Sequence, residues 1–479
     1  MNALPIRRRT LGALLAATLL AACAVSTTNP PAADPRPPIV FVHGNGDSAA
    51  LWTPTIWRWQ SNGWPRERLV ALDFPLPSAR DDNTVAQAGR SSADEQMRYL
   101  AAEIDRVLAA TGAAQVVLMG NSRGGNAIRQ YIATGVKGGN EAGNGAAKVS
   151  HAILGGTPNH GVWADPAFSP NSEFNGAGAF LSGLNAPQGP NGDEVTPGPA
   201  WLTIRSDNND KFAQPDGVWI GRKGQPTHVS FDGPALKGAS NLVLPGRDHR
   251  EVSYHPEAFA AAYRFVTGRA PTTTTPTHVT PEAQVTLAGK VSGYAGSSPS
   301  NLPLAGARLT VYAVDAGTGA RRGAPPLAQT ITADGRWGPL ATDSATPLEF
   351  MLEATGFATA HTYRAPFARS ADTVNLRPER AISDADKDAA ALVNLTRPRA
   401  YFGLPRDSVL LDGQPATGIP PGVAGVAGVA GVAVSKLKLT DAAARPVVAE
   451  FRSGVISERI VGQVWPAKDG HVTVLELHE

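Results

Sequence analysis

Between residues 38 and 270, short apolar runs alternate with segments in which apolar residues recur at helical spacing. Buried strands form such runs, and their alternation with helices is typical of β-α-β units and a parallel sheet. Five runs fit this interpretation, at residues 39–42, 69–74, 116–119, 152–154 and 202–204. The pattern predicts an α/β domain over 38–270, with a mostly parallel sheet and helices on both faces.

Beyond residue 281 the pattern changes to alternating or β-branched runs separated by Gly, Pro and Asp turns. Several short strands at this spacing predict a β-sandwich over 282–378. A second β-rich domain is predicted over 379–479, where a Gly-Val-Ala repeat at 422–433 is expected to be a loop. The Pro- and Thr-rich segment 271–281 is interpreted as a linker between the α/β domain and the all-β region.

The N-terminal segment predicts export. Residues 1–23 carry three arginines, then an apolar run, then Cys23, which is the layout of a signal peptide. Residues 20–23 resemble the lipobox of bacterial lipoproteins, in which the cysteine is acylated, and 24–37 reads as a tether. The alternative to a lipoprotein signal is an ordinary secretory signal. The route also stays open between general secretion and twin-arginine export. We expect an outer-membrane lipoprotein, or a periplasmic or secreted protein.

Composition and charge exclude several classes of function. The formal charge is +2, and removing the three N-terminal arginines leaves 40 basic against 41 acidic residues, or −1. A nucleic-acid partner would need a clustered basic face, so none is predicted. The single cysteine permits neither an internal disulfide nor a thiol nucleophile once it is acylated or cleaved away. The ten histidines show no zinc-site spacing, and no metal or cofactor is predicted.

The pentapeptide at 120–124, GNSRG, has the pattern G-x-S-x-G and lies between a predicted strand and a helical segment. Small flanking residues let a strand turn sharply into a helix with the serine exposed at the corner. Ser122 is therefore the predicted nucleophile, against the alternative of a glycine-rich turn with a capping serine. The loop that begins at His43 follows the first strand, and the backbone N–H groups of Asn45 and Arg123 are predicted to form an oxyanion hole. His43 itself is interpreted as structural.

These features resemble the α/β-hydrolase superfamily, and within it bacterial lipases and esterases with a serine nucleophile and C-terminal β-domains. The resemblance is carried by VFVHGNGDSAALW at 40–52, VVLMGNSRGGNAIRQY at 116–131 and GRDHREVSYHPEAFAAAYRFVTG at 246–268. The family's chain order of nucleophile, acid and histidine implies His249 as the base, because it lies between a strand-like run and a helix. His255 is the competitor, with a capping role favoured for it.

The acid is expected in the turn at 203–215. Asp210 is preferred because Ala213 follows it three residues later, as the family often shows, and Asp207 is the alternative, with a capping role for whichever is not the acid. The acid would hold the histidine tautomer and stabilise the imidazolium.

The long segment 162–199 is predicted to be a lid or acyl-binding wall, or else a surface loop. Its apolar patch supplies the candidate substrate-binding residues Phe180, Leu181 and Leu184. Asn121 and Arg123 replace the histidine and methionine common in such lipases, and the arginine suggests a less apolar pocket or a contact with a polar part of the substrate.

Together these observations predict an exported serine hydrolase that cleaves carboxylic esters, a lipase or esterase, through an acyl-enzyme. The alternatives are a catalytically silent envelope-binding lipoprotein, and an amidase or acyltransferase on the same fold. The expected partners are an ester or lipid substrate and a membrane or polymer surface, engaged through the β-domains and the lipid anchor. The oligomeric state stays open.

Overall fold

The computed structural model describes Met1 and residues 35–134, 136–137, 141–142, 145–188, 191–420 and 431–479. The segment Arg36–Glu479 is one compact unit. Cys23, almost all of the predicted signal peptide and tether, and most of the Gly-Val-Ala repeat lie outside the described residues. Among the helices of the described part, none has the length and apolar character required to cross a membrane.

A parallel sheet organises the first half of the compact unit. The strands here are β1 (Ile39–Val42), β2 (Leu69–Ala71), β3 (Val116–Asn121), β4 (Val136–Lys137), β5 (Glu141–Ala142), β6 (Val149–Gly155), β7 (Ala200–Ser206) and β8 (Ser240–Leu244). Six of them form the sheet in the order β2-β1-β3-β6-β7-β8, and all of its neighbours are parallel. β4 and β5 form a separate hairpin. The parallel sheet predicted from the apolar runs is confirmed.

Helices cover both faces of this sheet. They are α1 (Thr53–Ser61), α2 (Ala93–Thr111), α3 (Arg123–Thr134), α4 (Ala179–Leu184), α5 (Glu251–Tyr254) and α6 (Pro256–Thr267). One apolar core joins the sheet to α2 and α3, and a second joins it to α1 and α6. α2 begins with the capping box that its sequence indicates, since the Ser92 hydroxyl accepts from Glu95 N and the Glu95 carboxylate from Ser92 N.

The second half of the unit is built from short strands, as its alternating pattern predicts. They are β9 (Gln284–Lys290), β10 (Ser292–Ala295), β11 (Ser298–Pro303), β12 (Arg308–Ala313), β13 (Leu327–Thr330), β14 (Arg336–Asp343), β15 (Leu348–Glu353), β16 (Phe357–Arg364), β17 (Glu379–Arg380), β18 (Ala391–Thr396), β19 (Ser408–Leu411), β20 (Gln414–Pro415), β21 (Val434–Leu439), β22 (Pro446–Ser453), β23 (Ile456–Gln463) and β24 (His471–Glu476).

The largest sheet of this half runs β13-β12-β15-β16-β24-β18-β21, with β17 beside β16. β24 pairs in parallel with β16 on one side and β18 on the other. Strands from both sides of residue 378, the predicted boundary between two β-domains, therefore share one sheet. The other sheets are β9-β14, β10-β11 and β20-β19-β22-β23.

The β-region packs directly on α1. Trp57 belongs to the same apolar core as β-region residues, and its ring nitrogen donates to Ser370 O at 3.1 Å. Thr53 and Thr373 share a hydrogen bond of 2.8 Å, and the Arg399 guanidinium donates to Leu51 O at 3.0 Å. The β-region thus adjoins the parallel sheet's helices along a buried, hydrogen-bonded boundary.

Candidate active site

Ser122 lies at the corner where β3 turns into α3. Its φ is +52°, a left-handed conformation that is strained for a residue with a side chain. The corner is held by a hydrogen bond from Ser122 N to Gly155 O at 2.8 Å. A methyl group on Gly124 would lie 2.5 Å from Val42 O, and one on Gly120 would lie 2.9 Å from Gly125 N. The glycines of the pentapeptide are therefore required by the close approach of backbones around the serine.

His249 follows β8, on the turn that leads into α5. Its Nδ1 lies 2.8 Å from Oδ2 of Asp210, and both side chains are almost completely buried. The other carboxylate oxygen of Asp210 accepts from Phe212 N at 2.8 Å, and the Phe212 ring meets the imidazole edge-on at 4.6 Å between centroids. The imidazole is thus held between a carboxylate and an aromatic ring.

Asp207 does not contact His249. Its carboxylate accepts from Asn209 N at 3.1 Å and from Gly246 N at 2.9 Å, which ties the turn after β7 to the turn after β8. Burial raises the pKa of Asp207, but the hydrogen bonds from Asn209 and Gly246 outweigh it and hold that pKa below its ordinary value. Of the two predicted acids, only Asp210 is paired with the histidine.

The two other candidate histidines have structural partners. His43 is fully buried, with Nδ1 2.9 Å from Gly44 O and Nε2 accepting from Phe74 N at 3.1 Å. Burial lowers the pKa of His43. His255 is the N-cap of α6 and accepts from Glu257 N at 3.2 Å, and burial lowers its pKa to about 2. Both rings are therefore neutral hydrogen-bonding groups at ordinary pH.

Ser122 and His249 line one cavity of about 120 Å³. Its apolar wall comes from Val162, Phe174, Phe212 and Ile220. Val162 and Phe174 belong to the predicted wall segment 162–199.

The candidate residues Phe180, Leu181 and Leu184 lie on α4 and do not line this cavity. Leu181 is fully buried, and Leu184 O accepts from Arg129 at 3.1 Å. Leu181 and Leu184 are apolar because they pack into the protein, and Phe180 is half-buried. A larger cavity of about 430 Å³ adjoins the first and shares Pro158, Val162, Phe212 and His249 with it.

The predicted oxyanion donors flank Ser122. Asn45 lines the Ser122 cavity, and its side chain accepts from Ala79 N at 2.7 Å, which holds the loop after β1. Arg123 follows Ser122 directly and opens α3.

The Arg123 side chain does not have the role that the sequence suggested for it. It is buried, forms an ion pair with Glu173, and donates to Pro77 O at 2.9 Å and Ser91 O at 2.7 Å. Burial lowers the pKa of Arg123 and raises that of Glu173, while the pairing opposes both shifts. Four hydrogen bonds hold this guanidinium on protein acceptors, so the expectation of a contact with a polar part of the substrate is wrong for this side chain.

Sequence reasoning missed the role of Asn121. Its buried side-chain amide donates to Gly155 O and His249 O, both at 3.3 Å, and to the Ser253 hydroxyl at 2.9 Å. One residue beside the nucleophile therefore holds the backbone of the histidine. The one sign of this role in the sequence is that an asparagine stands where such lipases commonly have a histidine.

Three further cavity residues were also missed: Asp47, Arg250 and Tyr401. Arg250 and Asp47 form an ion pair of 2.7 Å across the cavity rim. Tyr401 comes from the β-region, far along the chain, where no local pattern marks it. Over the described residues, no group of three or more His, Cys, Asp or Glu side chains is arranged to hold a metal ion.

Among solved structures, the mature lipase BlEst2 from Bacillus licheniformis is similar over 49% of this chain and 94% of its own, with 20% identity and a TM-score of 0.34. The propeptide form of the same lipase is similar over 90% of this chain and 93% of its own, with 15% identity and a TM-score of 0.35. Phospholipase PlaB from Legionella pneumophila covers 73% of this chain and 95% of its own, with 12% identity and a TM-score of 0.32. Comparison with curated proteins finds no match.

Two family models match the sequence. Residues 36–214 match the model for class 2 lipases, and residues 283–381 match the model for the lipase C-terminal domain. The first range contains β1 to β7 and Ser122, and the second lies in the β-region. The chain therefore combines a class 2 lipase segment, on the parallel sheet of an α/β-hydrolase core, with a lipase C-terminal domain after it.

Proposed function

We propose that the protein is an exported serine hydrolase that cleaves carboxylic esters through an acyl-enzyme. The match to the class 2 lipase model supports ester hydrolysis in general. The observation that carries the finer proposal is the shared cavity of Ser122, at its strained corner, and His249, which is paired with Asp210 at 2.8 Å. These are the residue types and the chain order of a Ser-His-Asp triad.

In the acylation step, the Ser122 hydroxyl oxygen attacks the ester carbonyl carbon while Nε2 of His249 takes the hydroxyl proton. Asp210 accepts the Nδ1–H of His249, which fixes the tautomer and stabilises the imidazolium. The imidazolium then gives its proton to the leaving alcohol, and the acyl group stays on Ser122. In the second step water attacks this acyl-enzyme with His249 again as base, and the carboxylic acid leaves.

The oxyanion of both steps is held by the backbone N–H groups of Asn45 and Arg123. Arg123 N begins α3, so the positive end of the helix dipole adds to its effect. The Arg123 ion pair with Glu173 keeps this N–H in place, because it anchors the first residue of the helix. Each such donor is typically worth about 3 kcal/mol of transition-state stabilisation.

The cavity favours esters with a short acyl chain. Its volume is only about 120 Å³, and Val162, Phe174, Phe212 and Ile220 give it an apolar lining. A short hydrocarbon chain fits this space and gains by leaving water there, whereas a longer chain exceeds its volume and has to extend into the adjoining cavity of about 430 Å³. We therefore expect faster turnover of p-nitrophenyl butyrate than of p-nitrophenyl octanoate.

The decisive experiment replaces Ser122 by alanine and measures hydrolysis of p-nitrophenyl butyrate. The expected loss in kcat is at least about 1000-fold, together with loss of labelling by a fluorophosphonate probe. Ser150→Ala is the matched control, because Ser150 lies at the opposite end of the same sheet. Its hydroxyl donates to Val116 O at 3.3 Å and lies 3.1 Å from Nδ1 of His151. Hydrolysis and labelling that survive Ser122→Ala would refute the proposal, and faster cleavage of matched anilides would favour an amidase.

Export and lipid anchoring are proposed from the sequence of residues 1–23. Expression in a bacterial host with radiolabelled palmitate is expected to label the wild-type protein and not Cys23→Ser. An unlabelled wild-type protein recovered without residues 1–23 would replace the anchor by an ordinary secretory signal.

A further inference from the structure

We propose that Tyr401, supplied by the C-terminal β-region, is a specificity-determining residue that limits the length of the ester chain bound beside Ser122. This inference rests on the proposed ester hydrolysis. Tyr401 lies 153 residues after Asp248, the neighbour of the catalytic base, and outside both segments that match family models.

Tyr401 borders two cavities. It lines the cavity of about 120 Å³ that contains Ser122 and His249. It also lines a smaller cavity of about 30 Å³ formed with Lys211, Phe402, Leu404 and other residues, and among the described residues it is the one that both linings contain. We expect that removing the ring extends the Ser122 cavity towards the smaller one, so the ring acts as an end wall for a bound chain on that side.

The backbone of Tyr401 is fixed from both sides. Its N–H donates to Oδ2 of Asp248 at 2.7 Å. Its carbonyl oxygen accepts from Arg397 at 2.8 Å and from Arg406 at 2.7 Å. Charge-assisted hydrogen bonds of this length are the strong ones, so the position of the wall is well defined.

The same arginines hold the turn that carries His249. Arg397 and Arg406 form ion pairs with the two carboxylate oxygens of Glu251, at 2.9 and 2.8 Å. Glu251 also accepts from Asp248 N at 2.9 Å. Because Asp248 and Glu251 stand on either side of His249 in sequence, one buried network fixes the distance between the base and the wall.

Burial and the neighbouring Glu251 raise the pKa of Asp248. Burial would likewise raise the pKa of Glu251, but Arg397 and Arg406 outweigh it and hold that pKa below its ordinary value. The carboxylate of Glu251 is therefore charged when it receives the two arginines, and the network keeps its form at neutral pH.

The Tyr401 ring is oriented by two cations. Lys211 Nζ lies 3.7 Å from the ring centroid, and the Arg250 guanidinium carbon lies 5.3 Å from it. Burial raises the pKa of the Tyr401 hydroxyl to about 12, so the group is neutral. The ring thus stands as a neutral wall of the cavity that contains Ser122.

The test compares p-nitrophenyl octanoate with p-nitrophenyl butyrate on the full-length protein, as the ratio of their kcat/KM values. Tyr401→Ala is expected to raise this ratio about tenfold, because it opens the end of the cavity. Tyr401→Trp, which keeps an aromatic ring and adds volume, is expected to lower it about threefold. Tyr401→Phe is expected to stay within about twofold of wild type.

Tyr294→Ala is the matched control, since Tyr294 lies in the β-region, stacks on Phe357 and does not line the Ser122 cavity. Its ratio is expected to match wild type. If Tyr401→Ala does not fold, the lowered ratio of Tyr401→Trp beside the unchanged ratio of Tyr401→Phe still tests the inference. An unchanged ratio in both Tyr401→Trp and Tyr401→Ala, in an active enzyme, overturns the inference alone. A wild-type protein that cleaves neither ester and is not labelled at Ser122 overturns the proposed function, and the inference with it.

Discussion

Oδ2 of Asp210 lies 2.8 Å from Nδ1 of His249, whereas the Asp207 carboxylate, three residues earlier, is bound by Asn209 and Gly246. Two aspartates in one turn thus face different partners. One can orient the imidazole, and the other closes the turn between neighbouring strand ends.

Replacing Asp210 by asparagine is expected to lower kcat for p-nitrophenyl butyrate about 10,000-fold, because the amide no longer holds the imidazole tautomer that catalysis needs. The matched change Asp207→Asn is expected to lower the free energy of unfolding by about 1 to 3 kcal/mol and kcat by less than about threefold. Steady-state kinetics and urea unfolding on both variants measure this. A larger kcat loss in Asp207→Asn than in Asp210→Asn would transfer the role of acid to Asp207.

Asn121→Ala is expected to lower kcat about 10- to 100-fold with a smaller change in KM, since it removes the amide that holds the His249 carbonyl. The change also removes the buried donor of the Ser253 hydroxyl and of Gly155 O. We expect this to lower the free energy of unfolding by about 1 to 3 kcal/mol. Ser253→Ala removes only one of these bonds, so a kcat loss equal to that of Asn121→Ala would show that the contact to His249 O is not the important one.

Arg123→Met is expected to destabilise the fold by about 3 to 5 kcal/mol, because it leaves Glu173 charged and buried without its partner. The double variant Arg123→Met, Glu173→Gln is expected to be more stable than the single one, since neither charge remains. Urea unfolding at pH 7 measures both. Equal stability of the single and double variants would mean that the pair does not bury a charge.

Arg406→Met is expected to lower the free energy of unfolding by about 3 kcal/mol, because Glu251 and Asp407 lose a buried partner. Arg445→Met is the control: its ion pair with Asp412 is partly exposed, and we expect a loss below about 1 kcal/mol. We also expect kcat to fall in Arg406→Met only, since the Arg406 network reaches the turn of His249. Similar kcat values in the two variants would separate the network from catalysis.

His255 makes stability depend on pH on the acid side. Its folded pKa of about 2 lies below the ordinary value of 6.5, so its contribution is complete above pH 6.5 and is lost as the pH falls, when the unfolded chain takes up the proton. From this group alone, the free energy of unfolding is expected to fall by about 2 kcal/mol between pH 6.5 and pH 5.

His255→Asn keeps an N-cap acceptor for Glu257 N and removes the titrating group. Urea unfolding at pH 7.5 and pH 5 is expected to show a smaller pH-dependent loss in the variant. Identical losses in the two proteins would mean that His255 is not the group responsible.

Local pattern was sufficient for the parallel sheet and for the position of Ser122. A buried strand, a tight turn and a helix are specified within about 20 residues, and a side chain at Gly120 or Gly124 would collide with neighbouring backbone. His249 could be singled out by its place between a late strand and the last helix. The choice between Asp210 and Asp207 could not be made with the same force, because both lie in one turn and differ only in the partner that the fold brings to them.

The apolar patch at 180–184 and the arginine at 123 misled for a related reason. The type of a side chain next to a site does not fix whether it points into the protein or into the cavity. Elements distant in sequence set its direction, here Glu173 and Ser91 for the arginine. No local pattern marks Tyr401, since its place at the cavity is fixed by hydrogen bonds between its backbone and Asp248, Arg397 and Arg406.

Short stretches of chain, each with its own steric rules, were enough to give the fold class, the corner that carries the serine and the order of the candidate triad. Three features came from the folded molecule alone: which aspartate meets the imidazole, where the arginine beside the serine points, and the wall of the cavity that the β-region supplies. Those outcomes depend on contacts between segments far apart in the chain. Such contacts form only when both halves fold together, so that their buried charges are paired and their apolar faces are covered.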